Sequence, residues 1–279
     1  MSGSMQVAER MFVVLRGAGP ADGAVAAFEF LEPFSERLRI FERDREWRSS
    51  AGDSGEFELC RILVVPAFSK DDPGRKEAAQ GWLQDGSGGG QSAMSAVKVG
   101  EASILWRPGR AVVAYGGGQG TGQLKEVLES VADFAFVEGL LSGMEREVSQ
   151  GWSGVEQDTP LAYKIGKEDL ARDEEVGRRA KSVLQLRMRH VRAEPLVLRG
   201  PARFGRLAAE VGEGLREEAR CEERLEALDG QIEAQEYVYE LASQRFGEFR
   251  HAREGFLLEL IIVALLAAEV VLLLLDLWL

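Results

Sequence analysis

The chain ends in the apolar stretch G-F-L-L-E-L-I-I-V-A-L-L-A-A-E-V-V-L-L-L-L-D-L-W-L, which runs from Gly255 to Leu279. Between Phe256 and Leu275 only Glu259 and Glu269 are polar. A helix of this length is about 30 Å long, which matches the hydrocarbon core of a bilayer, and it satisfies its backbone groups internally. The sequence therefore predicts one C-terminal transmembrane helix with the lipid bilayer as its partner.

Basic residues precede this stretch and none follows it. Arg250, His251 and Arg253 lie just before it, and Trp278 lies near its far end. The positive-inside rule then places the N-terminal part on the cytoplasmic or matrix side. The first residues resemble neither a secretory signal nor a mitochondrial presequence, which leaves a bacterial inner membrane and a mitochondrial inner membrane open. The alternative is a helix buried in a soluble core, but no upstream segment is apolar enough to surround it.

The composition limits what the rest of the chain can do. A formal net charge of −12 argues against DNA or general nucleic-acid binding. The two histidines, His190 and His251, exclude a multi-histidine metal site. The two cysteines, Cys60 and Cys221, form no disulfide framework and fit a reducing compartment. No motif indicates a cofactor and no base lies beside a nucleophile, so we expect a protein that is not an enzyme.

The N-terminal half contains short apolar runs that are typical of β-strands. The clearest pair flanks the turn Arg107-Pro108-Gly109 and predicts a hairpin. The segment Ser35 to Arg48 is rich in Glu and Arg and is predicted to be a helix. Residues 70–90 end in G-S-G-G-G and are predicted to be a flexible loop. The predicted strands are 11–15, 25–31, 57–68, 93–99, 102–106 and 110–115.

A glycine-rich segment follows the hairpin. It reads G-G-G-Q-G-T-G, Gly116 to Gly122, and precedes a helical pattern that begins at Leu124. A strand, a glycine loop and a helix can cradle a phosphate. The segment matches neither G-x-x-x-x-G-K-[ST] nor G-x-G-x-x-G, so a flexible connection is the favoured interpretation. The candidate binding residues are Gly116, Gly118, Gly120 and Gly122.

The remainder of the chain is mostly helical in character. A loop is predicted over 151–160, a strand over 161–165 and a helix over 167–192, which Glu194-Pro195 ends. Beyond residue 201 a coiled-coil seam recurs with three-four spacing over about 25 residues. An intrachain helical hairpin with a kink at Asp229-Gly230 is slightly favoured over a neighbouring copy as the cover of this seam. The seam residues are Leu225, Leu228, Ile232, Gln235, Tyr239, Ala242, Phe246 and Phe249.

The two glutamates of the C-terminal stretch need an explanation. Glu259 is close enough to the headgroups to reach them, whereas Glu269 lies roughly 20 Å beyond Phe256 along a helix. A carboxylate at that depth costs several kcal/mol. We therefore expect Glu269 to be neutral, or to share a hydrogen bond with a second helix. The hypothesis that follows is self-association of the anchors at Glu269.

Several segments resemble the required-for-meiotic-nuclear-division (Rmd/Sif-type) family, whose members share a domain of unknown function. L-E-L-I-I-V-A-L-L-A-A-E, Leu258 to Glu269, resembles the family's C-terminal anchor, in which two glutamates lie ten residues apart. L-W-R-P-G-R-A-V-V-A-Y-G, Leu105 to Gly116, resembles its strand hairpin, with Tyr115 in place of the usual Trp. R-R-A-K-S-V-L-Q-L, Arg178 to Leu186, is similar to the start of its helical hairpin. The glycine-rich segment departs from the family pattern.

The resemblance implies an α+β fold with an N-terminal mixed α/β soluble head, a long helical hairpin and one C-terminal transmembrane helix. We expect the head over 1–165, the hairpin or coiled-coil stalk over 166–253 and the anchor over 255–279. It also implies a homo-oligomer at an inner membrane that supports translation by tethering a ribosome or another protein complex. No catalytic residue carries over from the family.

Three functions are consistent with these observations. The first is a single-pass, membrane-anchored, self-associating scaffold. The second is a membrane-tethered enzyme that binds a nucleotide or a phosphate with the Gly116–Gly122 loop. The third is a monomeric tail-anchored adaptor.

Overall fold

The computed structural model describes residues 9–17, 22–30, 34, 36–44, 57–69, 72–85, 94–116, 121–199 and 205–278, without the side chains of 85, 121 and 272–278. Within these residues the fold is α+β, a seven-stranded sheet with long helices. The predicted fold class is confirmed at this level.

The seven strands form one mixed sheet in the order β2-β3-β1-β4-β7-β6-β5. All neighbours are antiparallel except β4 and β7, which are parallel. The parallel pair requires a crossover, and the first helix lies in that connection. The strands are β1 (Arg10–Arg16), β2 (Ala26–Glu29), β3 (Arg37–Arg43), β4 (Phe57–Pro66), β5 (Ser95–Val99), β6 (Ala102–Arg107) and β7 (Arg110–Tyr115).

The described residues contain five α-helices, and the last four account for most of the described chain after residue 121. They are α1 (Pro73–Asp85), α2 (Thr121–Asp158), α3 (Asp173–Leu198), α4 (Arg206–Glu218) and α5 (Cys221–Trp278). Two short 3₁₀ helices, Thr159–Ala162 and Glu168–Arg172, connect α2 to α3.

The two faces of the sheet bury different partners because side chains alternate along each strand. On one face, Phe136 of α2 stacks on Phe30 at 4.1 Å between ring centroids, and Phe134 meets Trp106 edge-on at 5.0 Å. On the other face, α1 closes a second cluster, whose members are Leu63, Val65, Ala79, Leu83, Leu105, Val112 and Ala114. The six strands predicted in the N-terminal half and the predicted hairpin are therefore confirmed as parts of the sheet.

Two N-terminal predictions are wrong. The segment predicted as the helix 35–48 contains strand β3, which pairs with both β1 and β2. Its charged residues form cross-strand ion pairs, Arg37 with Glu29 and Arg10 with Glu42, instead of a helical surface. Within the predicted loop 70–90, residues 73–85 form α1, because Ala79 and Leu83 can pack on the sheet.

Two further predictions fail between 151 and 165. The predicted loop 151–160 contains the last turns of α2 and the start of the 3₁₀ helix Thr159–Ala162, and the predicted strand 161–165 contains the end of that 3₁₀ helix. Gly151 and Gly154 indicated a loop, but both lie inside the helix. The predicted helix over 167–192 is confirmed in the main as α3, which continues past Pro195 to Leu198.

The chain divides into two compact units. The first consists of Met1–Glu145 and Arg189–Ala227, and the second of Arg146–Met188 and Leu228–Leu279. The sheet, α1 and α4 belong to the first unit, whereas α2, α3 and α5 contribute residues to both. The predicted boundaries at 165 and 253 stay predictions.

Among the residues that the structure describes, none of the helices combines the length and the apolar character that a membrane crossing demands. The predicted transmembrane helix is therefore not supported by this fold.

Candidate functional site

The part of α5 from Phe256 to Val271, here called the terminal segment, exposes all of its side chains. It contains eleven large apolar residues, each of them more than half exposed, and Phe256 is the first at 63%. Glu259 and Glu269 are exposed in the same segment. A contiguous apolar surface of this size is typical of a site that contacts lipid or another protein.

The seam on the same helix is buried. In the second unit its residues from Leu228 to Phe246 are covered, and Phe249 is half-buried. Gln235 donates from Nε2 to the Val148 carbonyl of α2 at 3.0 Å, so helices of this chain cover the seam. Leu225 is buried in the first unit. Helix α5 runs unbroken through Asp229-Gly230, so the helical hairpin does not turn there, and the kink stays a prediction.

A carboxylate with two arginines joins the ends of α2 and α3 in the second unit. Asp158 is 1% exposed and accepts from Arg172 at 2.5 Å and from Arg179 at 2.7 Å. Hydrogen bonding with Asp158 raises the pKa of Arg179, against an opposing effect of burial. The buried carboxylate is thus fully compensated, and it fixes where α3 begins.

Further ion pairs hold α3 antiparallel to α5. Arg187 binds Asp229 and also donates from Nε to Glu236 at 2.9 Å. Asp173, at the start of α3, pairs with Arg250 at 3.1 Å. Arg187 belongs to the basic run R-M-R-H-V-R, Arg187 to Arg192. Its guanidinium group is held by these acidic residues and is not available as part of a cationic patch.

A cleft of about 320 Å³ lies among α2, α3 and α5 in the second unit. Gly151 lines this cleft. A Cβ added to Gly151 would lie 2.9 Å from the Gln235 amide oxygen. Burial, followed by the charge of Asp158, raises the pKa of Tyr239, whose hydroxyl lies at the cleft. Its charged lining residues, Glu147 and Arg179, are opposite in sign and the other lining residues are neutral, so the cleft itself indicates no charged substrate.

The glycine-rich segment is only partly described. Gly118 and Gly120 lie outside the described residues, Gly116 follows β7, and Gly122 lies in the first turn of α2. An added Cβ on Gly116 would lie 2.9 Å from a Glu101 carboxylate oxygen. Burial and then the charges of Glu101 and Glu126 raise the pKa of the neighbouring Tyr115. Carboxylates beside a phosphate would repel it, so these neighbours do not favour phosphate binding.

The first unit contains a buried arginine that the sequence did not reveal. Arg216 and Asp133 are 7% and 5% exposed and lie 2.6 Å apart. The same guanidinium donates to the carbonyls of Val197 and Gly212 at 3.1 Å. The signal that could have found this pair is Asp133 itself, because it interrupts an apolar helical run from Val131 to Val137.

A second arginine of the first unit bridges two glutamates beside a thiol. Arg224 donates to Glu138 and Glu145, each at 2.7 Å. Burial raises the pKa of Cys221 to about 11, with a further contribution from Glu138. The thiol is therefore protonated at neutral pH and is a poor nucleophile. This arrangement stabilises α5 against α2 and offers no catalytic group.

His190 is buried and not part of a surface patch. Its Nε2 lies 3.1 Å from the Leu225 carbonyl oxygen, within the first unit. Across the described ranges, no cluster of His, Cys, Asp and Glu side chains could hold a metal ion.

No family model matches this chain. No curated protein matches it either. The resemblance to the Rmd/Sif-type family stays a prediction.

Proposed function

We propose that this protein is a membrane-anchored, self-associating scaffold that positions a partner at a membrane and performs no catalysis. The proposed span runs from Phe256 to Leu275 of the sequence, and its described side chains reach Val271. The observation that carries the proposal is the exposure of the terminal segment on all sides of the helix. A surface of this kind needs an apolar environment that the described chain does not supply.

The free energies favour insertion, but by a small margin. On the insertion scale each Leu, Ile, Phe or Val contributes about −0.3 to −0.6 kcal/mol, and a central charged residue costs about 3 kcal/mol. The eleven large apolar residues then contribute roughly −3 to −7 kcal/mol, and Leu272 to Leu275 add to this. Glu259 lies near the start of the segment, where a carboxylate reaches the headgroups. Glu269 is the largest opposing contribution.

Self-association would relieve that cost. A second helix could accept or donate a hydrogen bond at Glu269, which removes an uncompensated polar group from lipid. Glu269→Leu should therefore strengthen membrane insertion while it weakens contact between anchors. Unchanged oligomer mass and stability in this variant would remove Glu269 from the proposed contact.

Two further observations support a side of the membrane and a class of partner. Arg250, His251 and Arg253 precede the terminal segment and favour a cytoplasmic or matrix location for the rest of the chain. The resemblance to the Rmd/Sif-type family supports an inner membrane and a partner such as a ribosome or another protein complex.

The test is flotation of the full chain with liposomes, combined with protease protection of a C-terminal tag. We expect the chain to float, to stay bound in 1 M salt, and to carry the tag across the bilayer. The variant Ile262→Arg with Leu266→Arg should abolish flotation, because two charges one turn apart would lie in hydrocarbon.

The matched control is Tyr163→Arg, a charge placed on an exposed residue outside the segment. It should float like the unaltered chain. Flotation with a tag that protease removes would indicate a segment that lies on the surface of the bilayer. Failure of the unaltered chain to float would overturn the proposal.

A further inference from the structure

The outward side of α3 in the second unit is both basic and apolar. Its spacing of three and four residues puts the residues concerned on one side of the helix, opposite the buried Val183 and Leu186. Large apolar residues are unusual at such positions, and Leu184 is 55% exposed. The exposed residues of this face, here called the basic face, are Arg178, Lys181, Leu184 and Met188.

The outward side of α5 in the same unit has the opposite charge. Glu233, Tyr237 and Glu240 are exposed at positions i, i+4 and i+7, and Tyr237 is exposed to 61%. These three residues, here called the acidic face, point away from the buried Ile232 and Tyr239. Each face combines charges of one sign with a large apolar side chain at its centre.

The ion pairs between α3 and α5 set the relative heights of the two faces. Arg187 is level with the interval from Asp229 to Glu236, and Asp173 is level with Arg250. Because the helices are antiparallel and rise equally per residue, heights elsewhere follow by counting. Lys181 lies at about the height of Glu240, Leu184 at about that of Tyr237, and Met188 at about that of Glu233.

We propose that a second copy of this chain docks here, with the basic face of one copy against the acidic face of the next. The inference rests on the proposed anchoring, because copies held in one membrane plane have their bundles at one height. Lys181 of one copy then meets Glu240 of its neighbour, and Leu184 meets Tyr237. No shift along the helices is needed to bring opposite charges together.

Each copy has one basic and one acidic face, so two copies can close a two-fold dimer and further copies can extend the contact into a ring. Confinement of the anchors to a membrane raises the effective concentration, so a contact of modest area suffices. Its charges are exposed, so association should weaken with ionic strength.

The test reverses each face separately in the full chain in detergent micelles. One variant carries Arg178→Glu and Lys181→Glu, and the other carries Glu233→Lys and Glu240→Lys. The unaltered chain should be an oligomer by light scattering, and each variant alone should have a lower mass, no larger than the contact between the anchors maintains. A mixture of the two should regain the unaltered mass, because the intact faces pair with each other and the two reversed faces are again opposite in charge.

A crosslinking experiment checks the register. Chains with Lys181→Cys, mixed with chains with Glu240→Cys, should form a disulfide-linked pair under mild oxidation. The natural Cys60 and Cys221 are buried and do not compete. Chains with Gln244→Cys, one turn further along, should crosslink at least tenfold less with the Lys181→Cys partner.

The controls separate this inference from the proposed function. Glu156→Lys reverses an exposed charge on α2 and should keep the oligomer. All face variants should still float with liposomes and show unchanged circular dichroism. If the basic-face variant and the acidic-face variant both keep the mass of the unaltered chain, and only Ile262→Arg with Leu266→Arg loses it, the contact lies in the terminal segment. That result would overturn the inference and leave the anchored scaffold standing. An unaltered chain that floats as a monomer would overturn both the inference and the proposed self-association, and would leave only the membrane anchoring.

Discussion

Two parts of helix α5 both contain apolar residues, but the residues are buried in one part and exposed in the other. From Leu228 to Phe246 the apolar residues form one stripe, which is buried in the second unit. From Phe256 to Val271 they surround the helix, and every one is exposed. A stripe can be covered by the helices beside it, whereas a helix that is apolar on all sides must be surrounded. The arrangement of the apolar residues around the helix therefore determines which part the neighbouring helices can bury.

The polar residues of the two parts also differ, because those in the seam have partners within the chain and those in the terminal segment are exposed. Gln235 in the seam donates to a backbone carbonyl of α2, and Tyr239 interacts with Arg179. These contacts are specific in geometry and help to select one register for the bundle. Glu259 and Glu269 are exposed in the terminal segment, so partners for them would come from headgroups or from another helix.

The largest expected effect comes from a charge in the seam. Ile232 is fully buried, and Ile232→Asp would place a carboxylate among apolar side chains. We expect a loss of about 4 kcal/mol or more in the free energy of unfolding. The measurement is urea unfolding of the full chain in detergent, followed by circular dichroism. Ile262→Asp in the terminal segment should change that free energy by about 0.5 kcal/mol or less, since nothing in the chain packs on it. Equal losses at both positions would refute the distinction between the two parts.

A smaller effect is expected from the ionic contacts of the bundle. Asp158→Asn removes the charge that compensates Arg172 and Arg179, and the loss should be about 2 kcal/mol. It falls below the value for a fully buried pair because both guanidinium groups are partly exposed. The measurement is again the free energy of unfolding.

The matched variant of the terminal segment is Glu259→Gln. It should leave the free energy of unfolding unchanged and increase the fraction that floats with liposomes. If Asp158→Asn were equally harmless, the carboxylate would contribute nothing to the position of α3.

Two glycine substitutions test how closely the seam is packed. Gly151→Ala places a Cβ 2.9 Å from the Gln235 amide oxygen, so the amide must turn away from the Val148 carbonyl. We expect a loss of about 1 kcal/mol. Gly230→Ala meets nothing within 4 Å and should gain about 0.5–1 kcal/mol from helix propensity. Thermal unfolding of each variant beside the unaltered chain measures whether stability falls or rises. A rise in stability for both variants would mean that α2 and α5 can move apart enough to accept the Cβ at Gly151.

The sequence predicted those elements whose signal is local. Strand β1 and the hairpin of β6 and β7 are runs of branched and aromatic residues beside a Pro-Gly turn, so neighbouring residues suffice. The seam likewise follows from three-four spacing alone. The order of the strands in the sheet and the helices that cover the seam depend on contacts between residues far apart in the chain. The spacing of residues within one segment does not predict such contacts.

The wrong predictions concern segments in which charged residues or glycines take part in packing between secondary-structure elements. Strand β3 resembles a helix because its arginines and glutamates pair across strands, which sequence spacing does not reveal. The last part of α2 resembles a loop because Gly151 and Gly154 sit where α5 and α3 come closest. At the candidate site, Asp158 went unnoticed because it lay in that supposed loop.

The last expected effect concerns Cys221, the first residue of α5, which is buried. The pKa of Cys221 is raised from 9.0 to about 11 by burial, so at pH 8 its thiolate fraction is about a hundredfold lower than that of a free thiol. Iodoacetamide should accordingly label Cys221 at least a hundredfold more slowly in the folded chain than in urea, as peptide mass spectrometry can measure. Because folding favours the neutral thiol, its contribution to stability is complete below pH 9 and is lost as the pH rises towards 11. A cysteine placed by Tyr237→Cys on the exposed side of the same helix should react like a free thiol. Fast labelling of Cys221 would mean that the start of α5 opens readily, and that burial along this helix is confined to the seam.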